Sequence, residues 1–348
     1  MKALVFNGPR DIRYEDYDDP SLTIDNAVIV KVTECSICGS DLHIYHGDAI
    51  GKVDYDKSVE PFCVGHEFIG EVVEAGPMVH NSKVGDRVFV AGGAGCGSCG
   101  ACRSGIGRCP ATVAFGCSAR LQGGQAELVQ VPNADRTIRQ IPEGISDEQA
   151  LLLTDALATA QFGINRGDIT SGDIVAVVGL GPIGLLGVEL AYIHGASHVI
   201  AIDPVAERRN HAAGLGATAL TPGKDLVAAV REATGGTLAN CTFEASGSTA
   251  AIASVPRITR NGGTASFIGL PQGGAGLDMA QLIYRSLTVR AGVAPVPELW
   301  PSLMPLLESG RLRADGLFTH RMPLSEGAEG YRLFDAREDG VLKILFEL

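Results

Sequence analysis

A chain of 348 residues is long for one hydrophobic core and suits two domains. Its 45% apolar residues, 20% charged residues and 45 glycines fit a globular α/β protein rich in tight turns and exclude a disordered chain. The 28 basic residues set against 40 acidic ones leave a net charge of −12, a surface that repels nucleic acid and anionic membranes. No apolar run reaches the length of a membrane span, and the opening stretch Met1 to Phe6 breaks at Asn7-Gly8-Pro9, too soon for a secretory signal. The expected location is cytoplasmic, where nine cysteines read as thiolate ligands and buried thiols rather than disulfides.

Residues 3–6 and 27–33 run or alternate apolar like strands, separated by an acidic, turn-rich segment over 11–25. Further strands are predicted at 70–75, 86–90 and 125–132, so that a β-rich, barrel-like domain extends to about residue 150. Residues 147–163 are helix-forming, and at Asp173 a new pattern starts: the apolar run 174–178, a glycine cluster, then a helical run to His194. Strand-like runs recur at 198–203, 241–244, 263–269 and 287–293 with amphipathic helical stretches between several of them, the signature of a doubly wound parallel sheet. A helical 299–308 and a final strand at 341–346 do not extend that alternation.

Three clusters carry chemistry. In Val64-Gly65-His66-Glu67-Phe68-Ile69-Gly70 a histidine and an acid stand side by side on an apolar background. A hydrogen-bonded core histidine would explain one such residue. The upstream Cys38-Gly39-Ser40-Asp41-Leu42-His43 and a downstream cysteine run make a metal the more economical reading. Cys35-Ser36-Ile37-Cys38 also has redox CxxC spacing, although no thioredoxin-like context surrounds it. Next, Cys96, Cys99, Cys102 and Cys109 are spaced closely enough to wrap one ion tetrahedrally, a closed and therefore structural zinc site. A nucleic-acid-binding ribbon fits poorly with an acidic chain that shows no basic run.

The third cluster, Gly179-Leu180-Gly181-Pro182-Ile183-Gly184, follows a strand and opens a helix, and an acid, Asp203, ends the next strand. The first glycine permits the turn, the second lets backbone approach a pyrophosphate, and the third allows close helix packing. Pro182 suits the first helical turn, and the helix N-terminus would face the diphosphate. Asp203 can accept both hydroxyls of an adenosine ribose and repel a 2′-phosphate, which predicts NAD over NADP; its plainer role is a strand end capping the next helix.

Taken in order, these motifs, with Gly70, Gly76 and Gly85-Asp86-Arg87-Val88, resemble the zinc-dependent medium-chain alcohol dehydrogenases over most of the chain. The resemblance implies a β-rich GroES-like catalytic domain over 1–154 and 293–348, bearing a structural-zinc lobe at about 92–112, and a Rossmann NAD-binding domain over 155–292. The last gap between cysteines is six residues where the family has seven. Cys38, His66 and Asp155 become the ligands of a catalytic zinc, Asp155 standing where many members place a cysteine and a group of bacterial secondary alcohol dehydrogenases an aspartate. Glu67 is then either a fourth, exchangeable ligand or a partner behind the ligands, and Asp41 holds His66 in one tautomer. Ser40 and His43 form a proton relay, with His43 as a plain surface residue the alternative. Thr159 packs on the nicotinamide, and Arg208 stands beside the adenosine ribose, with Arg209 next to it leaving room for NADP.

The implied activity is reversible oxidation of a secondary alcohol by hydride transfer to NAD. Rivals are a polyol, threonine or formaldehyde dehydrogenase of the same family, and a catalytically silent zinc-bearing binder. Ser40, Leu42, Phe115 and the 293–300 segment are the candidate pocket lining, with a core or interface role equally open for Trp300, the one tryptophan. Family members form tetramers or dimers through the strand corresponding to 287–293.

Overall fold

The computed structural model describes residues 1–48, 60–104, 109–271 and 274–348; residues 105–108 of the expected four-cysteine lobe lie outside them. The chain divides into two compact units. One comprises Met1–Asp155, Pro295–Glu308 and Asp315–Leu348, the other Ala156–Ala294 with Ser309–Ala314. Relative to the expected boundaries, Asp155 falls with the zinc-ligand unit and the short 309–314 segment with the parallel-sheet unit. The second difference has a local cause, since the backbone N–H groups of Arg313 and Ala314 donate to the carboxylate of Glu189 on the helix Pro182–Ile193.

The first unit is built on antiparallel strands. Its larger sheet runs in the order Ile138–Gln140, Arg87–Val90, Glu67–Ala75, Val28–Ser36, Ile344–Glu347, His320–Pro323, with Leu128–Val131 also on Val28–Ser36. A smaller sheet pairs Asp11–Asp16, Lys2–Gly8 and Phe62–Cys63. The alternating strand Val28–Ser36 turns Val28, Val30 and Val32 into a core shared with Phe6, Phe62, Phe68 and Phe346. The final strand starts at Ile344, three residues later than its apolar run begins.

Among the described residues the second unit holds six strands, all parallel, in the spatial order Thr218–Leu220, His198–Ile202, Ile174–Val178, Ala239–Glu244, Thr259–Phe267, Thr288–Ala291. Counted along the chain this is 3-2-1-4-5-6, the order of the dinucleotide-binding fold, and it bears out the doubly wound α/β expectation. The central strands are apolar on both faces because helices cover both sides. Among the described residues no helix is long and apolar enough to cross a membrane.

The helix expected over 147–163 is two helices, Asp147–Leu153 and Ala156–Asn165. Ser146 caps the first through a reciprocal pair with Gln149. At its C-terminus, backbone acceptors find other partners. Thr154 Oγ1 donates to Leu151 O at 2.6 Å, buried Trp300 donates its indole N–H to Leu153 O at 2.9 Å, and Gly92 N donates to Thr154 O at 3.0 Å. These partners satisfy carbonyls that a continuing helix would otherwise use, and the chain turns at Asp155.

Trp300 is fully buried and edge-on to Phe89 at 4.9 Å, and Phe115 is fully buried and edge-on to Phe68 at 5.3 Å. Both are core residues, which corrects the placement of Phe115 among pocket-lining candidates and gives Trp300 the core role left open for it. Replacing Trp300 with Phe keeps a ring against Phe89 but leaves the Leu153 carbonyl without its partner, a loss of about 1–3 kcal/mol. The expected outcome is a lower urea midpoint for W300F in far-ultraviolet circular dichroism.

Candidate active site and metal centres

Cys38 and His66 lie 28 residues apart in the chain, and strand pairing brings them together. In the antiparallel ladder Ser36 faces Glu67. Cys38 therefore leaves the end of one strand where His66 enters the start of its neighbour. Asp155, at the turn between two helices, completes the group: Cys38 Sγ and His66 Nε2 each lie 3.6 Å from Asp155 Oδ2, and all three donor atoms fall within 4.8 Å of one another. The edges of a tetrahedral zinc site with sulfur, nitrogen and oxygen ligands are about 3.3–3.5 Å, so the donors are nearly at coordination spacing.

Charge around the group favours a cation. Asp41, itself buried, accepts the Cys38 backbone N–H at 2.9 Å through Oδ2 and places Oδ1 2.9 Å from His66 Nδ1. Among the described residues neither Asp41 Oδ1 nor His66 Nδ1 has another hydrogen-bond partner. Burial opposes a charge on His66, but Asp41 and then Asp155 override it, so its pKa stands well above the usual imidazole value. Burial, and next the Glu67 charge, raise the Cys38 thiol. A divalent cation would relieve this excess of negative groups and hold the thiol ionised. By contrast Cys35 is fully buried in the core, with its thiol pushed well above the ordinary range by burial, which removes the basis for a redox pair with Cys38.

Ser40 Oγ lies 3.3 Å from Cys38 Sγ and 3.4 Å from His66 Nε2, against the donor group. His43 is half-buried on the short helix Asp41–His46, and burial lowers its pKa against the opposing pull of Asp48. Glu67 is not one of the three clustered donors. Its Oε2 accepts from Ser36 Oγ and pairs with the ammonium of Lys343, both at 2.5 Å, while Oε1 is buried without a partner among the described residues. Of the two expectations for Glu67, this geometry favours the supporting role. Lys343 is a residue that motif reading missed, although a lysine inside the apolar run 341–346 was the available signal. Leu42 packs half-buried against the core beside this group.

The four cysteines of the lobe also converge. Their sulfurs lie 4.0 Å (Cys96 to Cys102), 3.6 Å (Cys99 to Cys102), 3.7 Å (Cys99 to Cys109) and 3.6 Å (Cys96 to Cys109) apart. A tetrahedral zinc–thiolate site has sulfur edges of about 3.8 Å, whereas a disulfide bond is about 2.05 Å. Backbone N–H groups of Ser98 and Cys99 bring the Cys96 thiol to about 6, while burial and then the neighbouring sulfurs push Cys102 up to about 12. Four close thiols cannot all ionise on their own, and a shared cation removes that conflict. The six-residue gap still lets Cys109 join the other three.

In the second unit the glycine turn has the shape that its sequence predicts. Gly179 sits at φ +88°, and a Cβ on Gly184 would meet Gly179 O at 1.8 Å. A Cβ on Gly181 would meet nothing within 4 Å, so that position opens onto space into which backbone can present a ligand. Gly181 caps the helix Pro182–Ile193, with Pro182 and Ile183 in its first turn. Asp203 is buried, its Oδ2 accepting Leu180 N at 2.7 Å and its Oδ1 Val205 N at 2.8 Å. It thus joins the glycine turn to the start of the next helix, and each oxygen keeps a second lone pair. Arg209 donates to the carbonyls of Asp203 and Pro204. Arg208 lies on the helix Ala206–Gly214, and half-buried Thr159 on Ala156–Asn165. Glu244, a second acid ending a parallel strand, folds the following turn by accepting from Ser246 N and Gly247 N.

Residues 24–143 match the family described as the alcohol dehydrogenase GroES-like domain, and residues 182–309 the family described as zinc-binding dehydrogenase. The chain is 41% identical over 347 residues to a Mycobacterium tuberculosis protein named as a probable zinc-binding alcohol dehydrogenase, covering 99% of this chain and 88% of that one. The solved alcohol dehydrogenase of Thermus sp. ATN1 superposes with a TM-score of 0.90 at 34% identity, covering 100% of this chain and 99% of that one. The 2R,3R-butanediol dehydrogenase of Bacillus subtilis does so at 0.86 and 31%, with coverage of 100% and 99%. By its two family matches, its relatives and its fold, this chain belongs to the zinc-dependent medium-chain alcohol dehydrogenases.

Proposed function

We propose that the protein catalyses reversible, NAD-dependent oxidation of a secondary alcohol or vicinal diol to the carbonyl compound, using one catalytic and one structural zinc per chain. The convergence of Cys38, His66 and Asp155 at coordination spacing carries this reading. Likeness to a butanediol dehydrogenase supports the choice of alcohol. When bound, zinc supplies a Lewis acid toward the alcohol oxygen and NAD supplies the hydride acceptor.

The chain's own residues do the rest. Asp41 fixes the ring of His66 so that Nε2 faces the donor group. Ser40, within 3.4 Å of two of the donors, takes the hydroxyl proton. His43, kept neutral by burial, receives it farther out. Asp203 presents its free lone pairs to the adenosine ribose and disfavours a 2′-phosphate, Arg208 stands at the same ribose, and Thr159 packs on the nicotinamide. Gly179, Gly181, Pro182, Ile183 and Gly184 form the pyrophosphate turn. Self-association, as a tetramer or a dimer, uses the edge strand Thr288–Ala291, where Val289 and the neighbouring Ile283 and Tyr284 are exposed. The nine cysteines, all unpaired in disulfides, suit the cytoplasm.

Formation of reduced nicotinamide, followed at its absorbance with a panel of primary, secondary and polyhydric alcohols, tests the activity. The expected result is turnover with NAD that a chelator abolishes and zinc restores; a preference for NADP would refute the role of Asp203. No turnover by folded, zinc-loaded protein would favour the silent binder.

Metal analysis separates the two centres. Asp155→Ala and Cys102→Ser should each lower zinc by about one ion per chain, the first removing turnover and the second lowering the melting temperature.

The relay predicts a pH effect with a definite sign. Because the pKa of His43 is lowered, its base form persists below the usual imidazole pKa and the wild-type oxidation rate should hold there. His43→Gln should be about tenfold or more slower at pH 7 and should recover as hydroxide rises. Equal pH profiles for the two proteins would leave His43 a surface residue.

A further inference from the structure

The chain is acidic overall, with a net charge of −12, yet four arginines from three separate stretches of the chain meet in one place. Arg231 lies in the last turn of Leu226–Ala233, Arg257 in the last turn of Thr249–Ile258, Arg260 near the start of the strand Thr259–Phe267, and Arg285 at the end of Met279–Tyr284. They line a surface pocket of about 650 Å³ together with Leu238 and Gln281. All of its lining belongs to the parallel-sheet unit. Leu238 precedes one strand and Arg260 begins another, so the pocket lies at the N-terminal end of the sheet, opposite the glycine turn that follows Val178.

A cation near a helix C-terminus is ordinary, because the helix dipole favours it. That accounts for Arg231, Arg257 and Arg285 singly, and Arg285 is in fact spent on the fold. Its guanidinium donates to the carbonyls of Pro256 and Thr259 and to Asn261 Oδ1. It does not account for the convergence. No carboxylate lines the pocket, and the guanidinium groups of Arg231, Arg257 and Arg260 make no ion pair or hydrogen bond among the described residues. Burial, and next the charge of Arg231, hold the pKa of Arg285 below its usual value, so the repulsion is felt inside the cluster.

We propose that this pocket is a second ligand site, distinct from the dinucleotide turn, that binds a small, multiply charged phosphate ester. Unpaired guanidinium forks match phosphate oxygens two at a time, which favours phosphate over a single-point anion. The volume lies within the roughly 300–1,000 Å³ typical of small-molecule sites. Val227, Leu238, Thr237 and Gln281 supply apolar and hydrogen-bonding surface for the organic part. An extended polyanion is disfavoured by the negative charge of the rest of the chain.

Calorimetric titration of the zinc-loaded, NAD-saturated protein with fructose 1,6-bisphosphate at fixed ionic strength tests the assignment, since saturating NAD keeps the probe from the dinucleotide turn. The expected result is one saturable site, weakened by about tenfold or more in Arg231→Gln/Arg260→Gln. Affinity should be unchanged in Arg120→Gln/Arg139→Gln, a charge-matched pair on exposed residues elsewhere. All four side chains are exposed, and circular dichroism confirms that each variant folds. Absence of saturable binding, undiminished binding by the first variant, or equal loss in both variants would overturn the site. Equal binding of unphosphorylated fructose or of tricarballylate would overturn the phosphate assignment.

Discussion

Ser36 opposite Glu67 is the contact on which the geometry of the metal-ligand group depends. The strand ladder there carries the Glu67 carboxylate into the interior, where it takes the Ser36 hydroxyl and the Lys343 ammonium. Burial opposes the charge on Lys343, and Glu67 outweighs it, so the lysine's pKa stays raised. Lys343 immediately precedes Ile344–Glu347, which pairs with the same strand through Leu345 and Ser36. Three strands are thus held in register by one buried pair. A slip by one residue would turn each side chain to the opposite face and strand one of these charges alone, a loss of about 3–5 kcal/mol. Cys38 and His66 stand two and one residues from this lock, so their separation is set by it.

The third donor is placed by a different device. Local sequence around Leu151 to Ala158 favours helix throughout, yet the helix stops at Leu153. Trp300, Gly92 and the Thr154 hydroxyl each take a carbonyl or hold the turn, and their bonds offset the helical bonds given up. Gly92 does double duty, because a Cβ there would stand 3.3 Å from the ring of His66. His66 and the turn bearing Asp155 therefore pack on the same backbone.

This division explains what the sequence could show. The parallel sheet was legible because apolar strands alternating with helices leave few arrangements, and the glycine turn because each glycine meets a steric demand that the structure displays. The four cysteines were legible from spacing alone, since local chain length bounds their separation. Cys38, His66 and Asp155 were reached through family resemblance; nothing local in the sequence relates positions so far apart. The break at Asp155, the burial of Phe115 and Trp300, and the attachment of 309–314 to the other unit each depend on a partner remote in the chain. Propensity is blind to such partners.

The two donor sets would also treat one kind of cation differently. Four thiolates overcompensate a divalent charge and occupy every tetrahedral position, leaving a centre with no affinity for a further oxygen and a role in holding the lobe together. One thiolate, one carboxylate and a neutral imidazole only balance that charge and leave a position open. Asp155 in place of a second sulfur would make the set harder and a bound cation more electrophilic. Around the set, Asp41 accepts from His66 Nδ1 without altering its neutral form, and the charge of Glu67 is paired with Lys343. Removing Lys343 would leave a buried, uncompensated Glu67 carboxylate next in the chain to His66, so the C-terminal strand supports the donor group through charge as well as through register.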